Sequence, residues 1–136
     1  MKPVIQQENT GCAIASSAAL AGISYTEAKI IANKLGIYAE NSNLWSESKH
    51  IRRVLKILDI KTEPSETVFK NWGSLPECAL LAIKWHMKNG RPYWHWVVYV
   101  RKNNQEYVLD SKKALKANKS TDFGRIKPKW YIKIHT

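Results

Sequence analysis

Cysteine is scarce in this chain: Cys12 and Cys78 are the only two in 136 residues. Two are too few for a disulfide scaffold. There is no CxxC pair and no HExxH, so a structural zinc site is not expected, and no metal or cofactor is called for. Long apolar runs are also missing. No stretch of about 18 apolar residues occurs, which argues against a membrane-spanning helix. The opening MKPVIQQENTG has one lysine and no apolar segment behind it. It does not read as a signal peptide, and a cytoplasmic location is the expectation. Delivery by a specialised secretion system would leave no mark in such a sequence. Repeats, low-complexity segments and linkers are absent, so residues 1–136 are read as one domain. Such a compact, unadorned chain suits a bacterial protein.

Acidic residues are few. Eleven stand against 22 basic ones, for a net charge of +11. The excess is uneven. Residues 1–48 hold 3 basic and 4 acidic side chains, residues 49–100 hold 9 and 4, and residues 101–136 hold 10 and 3. The positive field therefore belongs to the second half. Such a field attracts nucleic acid, anionic membrane or acidic protein, or simply keeps a surface solvated. Hydrophobic residues make up 44%, which excludes disorder and supports a packed core.

The first half reads as helical. Cys12 to Ala21 (CAIASSAALA) is small, apolar and free of proline, with Gly11 before it and Gly22 after it. Ser24 and Glu27 have the spacing of a capping box, and Ala28, Ile31, Ala32 and Leu35 fall on one face behind them. A third helix is expected from about Leu44 to Leu58, with Ile51, Val54 and Leu55 inward. A short strand is expected over Ile60–Glu63 and a helical turn near Glu66–Lys70. The second half reads as strands. CALLAIKW from Cys78 is followed by the turn KNGRP. WHWVVYV is aromatic and β-branched; Asn103-Asn104 is a second turn; EYVLD and WYIKI complete the set. Turns this short imply antiparallel neighbours. The fold class is α+β, N-terminal helices packed on a C-terminal antiparallel sheet.

Four residues could share a reaction. Cys12 opens a helix, where partial positive charge and free N–H groups favour a thiolate. Gly11 before it lets the chain turn sharply and leaves the sulfur accessible. A free cysteine is otherwise a small core hydrophobe. His95 faces the side opposite Trp94 and Trp96, and an imidazole there needs a polar partner. Asp110 closes the next strand. Pairing about Asn103-Asn104 sets position 110 near position 96 or 97, within reach of His95, where a carboxylate would fix the imidazole tautomer. Gln6 lies six residues before Cys12, and its amide could meet an oxyanion together with the Cys12 N–H. Gln7 competes for that role, His86 is the runner-up base, and Asn104 is an alternative orienter. Cys78 reads as core. His50 looks solvated and His135 frayed. Trp72, Trp85, Trp94, Trp96 and Trp130 would fill the core or line a peptide cleft.

QQENTGCAIASSAALAG resembles the nucleophile segment of the C39-type (bacteriocin-processing-like) cysteine peptidases of the papain-like superfamily. VLKILDIKTEP, ECALLAIKW, HWVVYV and YVLDS are similar to later segments of that family in the same order, over roughly residues 4–111. The chain departs from the family in carrying Gly11 and Ala13 where an acid and a glycine are usual. The resemblance implies a papain-like fold. It also implies a cysteine peptidase with Cys12 as nucleophile, His95 as base, Asp110 as orienter and Gln6 as oxyanion donor, acting on a peptide or protein, acidic if the basic half contributes. The same residues would equally serve a protein glutamine deamidase or transglutaminase-like modifier. A catalytically inactive peptide-binding module or a nucleic-acid-binding module is the non-enzymatic alternative, although no nucleic-acid motif is present.

Overall fold

The alanine-rich segment folds as a helix over the expected span. In the computed structural model, which describes residues 1–115 and 117–135, α1 runs Cys12–Ala21 and ends on Gly22 in the left-handed conformation (φ +70). Residues 12 to 19 are all buried, so α1 is enclosed on every side rather than amphipathic. Its serines cost little there. Ser17 Oγ donates to the Ala13 carbonyl at 2.8 Å, which satisfies a hydroxyl inside the core. The second helix, α2 (Tyr25–Lys34), opens on the expected capping box of Ser24 and Glu27.

The third helix is shorter than its periodicity suggests. Here α3 is Lys49–Ile57, and Leu44 sits instead in a separate 3-10 turn, Ser42–Trp45. The reason is tertiary. Ser46, which ends that turn, donates its hydroxyl to the Pro92 carbonyl at 2.6 Å and accepts from Arg91 Nε at 2.9 Å, so the turn is fixed to the sheet. The helical turn expected near Glu66–Lys70 is not found: β1 (Thr67–Val68) lies there, and a 3-10 turn follows at Trp72–Ser74. Residues 60–63 contribute only a single bridge, Thr62 to Ile134.

Two long strands form the centre, β2 (Cys78–Lys88) and β3 (Arg91–Lys102). They are followed by β4 (Gln105–Leu109), β5 (Lys119–Ser120) and β6 (Trp130–Lys133). The sheet order is β1-β6-β2-β3-β4-β5, with every pairing antiparallel. Both hairpins at β3 turn on two residues with positive φ, Asn89-Gly90 (53° and 75°) and Asn103-Asn104 (54° and 62°). That geometry matches the twist of the strands. The tight Asn89-Gly90 turn is why β2 continues three residues past Trp85 instead of dissolving into a KNGRP loop.

The sheet is covered on both faces. Against the helices lie Leu80, Ala82, Trp96, Val98, Leu109 and Ile132. On the other face Leu81, Val97, Tyr99 and Val108 are covered by Leu75, Phe69, Trp72 and Phe123, which come from connecting segments. This double cover explains the near-continuous apolar runs in β2 and β3. The tryptophans divide accordingly. Trp94, Trp96 and Trp130 meet edge-on in one cluster, Trp72 stacks on Phe123 in the other, and Trp85 is exposed. No helix among the described residues is long and apolar enough to cross a membrane.

Candidate active site

The turn before α1 is built for close packing. Gly11 has φ −88°, a conformation open to any residue, so the glycine is not there for a sharp turn. It is there for space: a Cβ would stand 2.2 Å from the Tyr25 hydroxyl. That hydroxyl donates to Glu8 Oε2 at 2.6 Å, and Lys29 Nζ lies 2.5 Å from Glu8 Oε1. Burial works against the Glu8 carboxylate, but the bonds from Lys29 and Tyr25 and the lysine charge hold it below its usual range. Glu8 thereby ties the turn to α2, and Gly11 N–H closes it on the Glu8 carbonyl at 3.1 Å. Cys12 follows as the first residue of α1. It is 4% exposed, so the sulfur is set into a wall rather than left open as the sequence suggested. Gly11 supplies no side-chain cap to the first N–H groups of α1.

His95 stands on β3 just past the reach of β4. Pairing of these strands ends at Val98 with Leu109, so position 110 falls level with position 97, as the hairpin about Asn103-Asn104 predicts. The open edge admits the Asp110 carboxylate to the ring. His95 Nε2 and Asp110 Oδ1 are 2.7 Å apart, with both side chains largely buried. Asp110 is itself held. Its Oδ1 also accepts Lys112 N–H at 3.1 Å, and its backbone bonds to Asn118 at both N–H and C=O. Cys12 adds to Asp110 in favouring the charged imidazole. Burial would push the imidazole down, but the bonds and charges of Asp110 and Cys12 outweigh it and carry His95 up to about 9. For Asp110, burial raises; the bond and charge of His95, the Lys112 N–H and the Lys84 charge more than offset it, and the carboxyl sits below its ordinary value.

Gln6 is buried and lines a cleft of about 310 Å³ with Asn9, Lys84, His95 and Lys112. Its amide is fully engaged. Nε2 donates to the carbonyls of Glu8 (3.0 Å) and Asn9 (2.8 Å), and Oε1 accepts from Ser111 Oγ at 2.7 Å. Backbone Gln6 N–H also bonds Ser111 O at 2.9 Å. Gln6 therefore clamps the segment before Cys12 to the residue after Asp110. Gln7 points elsewhere, with its amide on Thr26 Oγ1 at 3.2 Å.

The remaining candidates lie apart. The His86 ring bonds the Lys84 carbonyl at 3.0 Å and lies over Tyr93. Asn104 is in the β3–β4 turn, beyond the strand pairing that separates it from His95. His50 is not solvated: its side chain is 19% exposed and pairs with Glu47 at 3.3 Å. Nor is His135 frayed, since its N–H bonds Lys61 O and its ring meets Glu63 at 3.2 Å. Cys78 is core, and burial pushes its thiol up to about 11. A separate cavity of about 670 Å³ beside Arg52, Lys56, Asp59 and His135 holds no cysteine. Among the described residues no group of three His, Cys, Asp or Glu side chains could hold a metal ion.

Sequence reasoning overlooked two participants. Ser111 locks Gln6, and Lys84 reaches the field of Asp110. Ser111 was legible in principle as a polar residue beside the expected carboxylate, whereas nothing in CALLAIKW marks Lys84. No family model, curated protein or solved structure matches this chain.

Proposed function

We propose that this chain is a cysteine peptidase of papain-like design. The observation that carries the reading is the His95 imidazole, held by Asp110 at 2.7 Å and favoured in its charged form by both Asp110 and Cys12, the first residue of α1. A cysteine at a helix start packed on an antiparallel sheet, with histidine on one strand and aspartate just after the next, is the arrangement that such a fold uses. His95 takes the proton of Cys12, and the thiolate attacks the carbonyl carbon of a peptide bond. The N–H groups at the start of α1 face the oxygen as it gains charge. Gln6 joins them by turning one amide N–H from the Asn9 carbonyl to that oxygen. The imidazolium then protonates the leaving amine, and a water deprotonated by His95 releases the acid and restores the thiol. Asp110 keeps the ring in register and stabilises its charged form.

Alkylation by iodoacetamide across pH tests this in the Cys78→Ala background, where Cys12 is the only thiol. A His-activated Cys12 reacts well below neutral pH, and His95→Ala slows that reaction by about tenfold or more. A rate that follows an ordinary thiol near pH 8.5, unchanged in His95→Ala, overturns the reading. Digests of a mixed peptide pool show new termini with the native chain and none with Cys12→Ala. Ammonia release without new termini would instead make the same residues a glutamine deamidase.

A further inference from the structure

Lys84 stands where β2 leaves regular geometry. Pairing with β3 runs to Ile83–His95 and resumes at His86–Tyr93, so Lys84 and Trp85 together oppose Trp94. This is a β-bulge, and Lys84 carries its strain with φ +53, a left-handed backbone that a residue with a Cβ disfavours. The His86 ring closes the bulge on the Lys84 carbonyl at 3.0 Å. Bulges beside active sites re-aim side chains, and backbone outliers gather at such sites.

The consequence here is position. A cleft of about 310 Å³ is lined by His95 and a second of about 760 Å³ by Asp110, and among the described residues Lys84 alone lines both. Lys112 and Lys113 line the first; Arg125, Lys127 and Lys129 line the second. Asp110 is the one acid in either lining, and it is engaged with His95. Lys84 is exposed and makes no ion pair among the described residues. A cationic cleft beside His95 and Asp110 calls for an anionic ligand.

Two polymers bring such charge. A nucleic acid would need free aromatic faces for its bases. The exposed aromatic at the larger cleft is Trp85, and Lys129 Nζ lies over its ring, 4.7 Å from the centroid. On the thiol-peptidase reading Cys12 and His95, by contrast, act on acyl groups. The observations favour a polypeptide.

We propose that Lys84 determines specificity by taking the carboxylate of a Glu or Asp side chain next to the bond presented to Cys12, with the surrounding cations holding further acidic residues. The substrate is thus an acidic segment of polypeptide. Placement of the bond rests on the thiol-peptidase reading; the binding of acidic chain at Lys84 is measurable without it.

Binding is measured on the full chain carrying Cys12→Ala, by fluorescence anisotropy at low salt. The probes are a labelled alternating Gly-Glu peptide, its Gly-Gln counterpart and an oligouridylate. The Gly-Glu peptide binds about tenfold tighter than Gly-Gln or more. Adding Lys84→Gln removes about fivefold or more of that preference, Lys84→Arg keeps it, and Lys102→Gln, on the far end of β3, leaves it within about twofold. Thermal unfolding confirms that each variant is folded. Equal losses from Lys84→Gln and Lys102→Gln would reduce the effect to general charge and overturn the proposal, as would tighter binding of the oligouridylate. Turnover is scored separately on the native chain. Selective, Lys84-dependent binding with no cleavage of any Glu-rich peptide strikes the peptidase reading and leaves acidic-chain recognition in place.

Discussion

The hydroxyl of Tyr25 occupies the space that a side chain on Gly11 would need. A Cβ there would sit 2.2 Å from the hydroxyl oxygen and 3.3 Å from the Cβ of Gln6. Gly11→Ala therefore forces apart α2 and the turn that carries Cys12. We expect a loss of about 1–3 kcal/mol in unfolding free energy, as overpacking usually costs. Tyr25→Phe removes the clashing oxygen along with its bond to Glu8. In a double-mutant cycle the two changes should cost less together than the sum of the singles, by about 1 kcal/mol. Urea unfolding of the four proteins checks this; additive losses would mean that Gly11 is not held by Tyr25.

Replacing Asp110 by Asn keeps an oxygen for the Lys112 N–H but removes the charge facing His95. Turnover should fall by a factor on the order of 100. The imidazole should titrate well below its present value of about 9, since Asp110 supplies both a bond and a charge that raise it. Ring-proton shifts of His95 across pH report this directly. An unmoved titration would show that Cys12 alone sustains the imidazolium.

Stability should depend on pH through the same pair. His95 is raised from its ordinary 6.5 to about 9. Its contribution is complete below pH 6.5 and is lost as pH rises through about 9. Asp110 is held below its ordinary 3.8, so its contribution is present above that pH and is lost as pH falls through its lowered value. The native chain should have its plateau in Tm between these limits. The melting curves of native and Asp110→Asn proteins should lie apart at pH 6.5, by roughly 5 °C, and converge above pH 9. Parallel curves would contradict the coupling.

The β3–β4 turn offers a test away from the site. Asn103 and Asn104 both have positive φ, which Asn tolerates and Gly accepts freely. Asn104→Gly should raise stability by a few tenths to about 1 kcal/mol. Asn104→Val should lower it by about 1–2 kcal/mol, because a β-branched residue resists the left-handed region. Neither should change alkylation of Cys12. A Val variant as stable as the native chain would mean that the turn is not of this type in solution.

Legibility in the sequence followed the range of the interaction. The capping box of Ser24 and Glu27, the extent of α1 and the two-residue turn at Asn103-Asn104 were readable because each depends on a few adjacent residues, whereas the KNGRP segment was read as a longer turn than Asn89-Gly90. The turn at Asn103-Asn104 also narrowed the register to position 96 or 97 opposite Asp110, and the strand pairing sets it at 97. The split before α3 was not readable, since it depends on Ser46 bonding to Pro92 and Arg91, far away in the chain. β1 and β5 have two residues each, too few to show a period.

The sequence alone thus determined an α+β chain, helices before strands, with a cysteine at a helix start, a histidine on a strand and an aspartate beside the next one. Those are matters of local propensity and alternation. Tertiary structure decided the rest. It settled Gln6 over Gln7 for the wall of the cleft, and it tied the Gln6 amide to Glu8, Asn9 and Ser111. It required Gly11 for space rather than for rotation, and it turned Lys84 through a bulge toward Asp110. The bond of Gln6 to Ser111, the contact of Gly11 with Tyr25 and the pairing of β2 with β3 rest on atoms brought together from separate parts of the chain, where packing and hydrogen bonding override the preferences of neighbours.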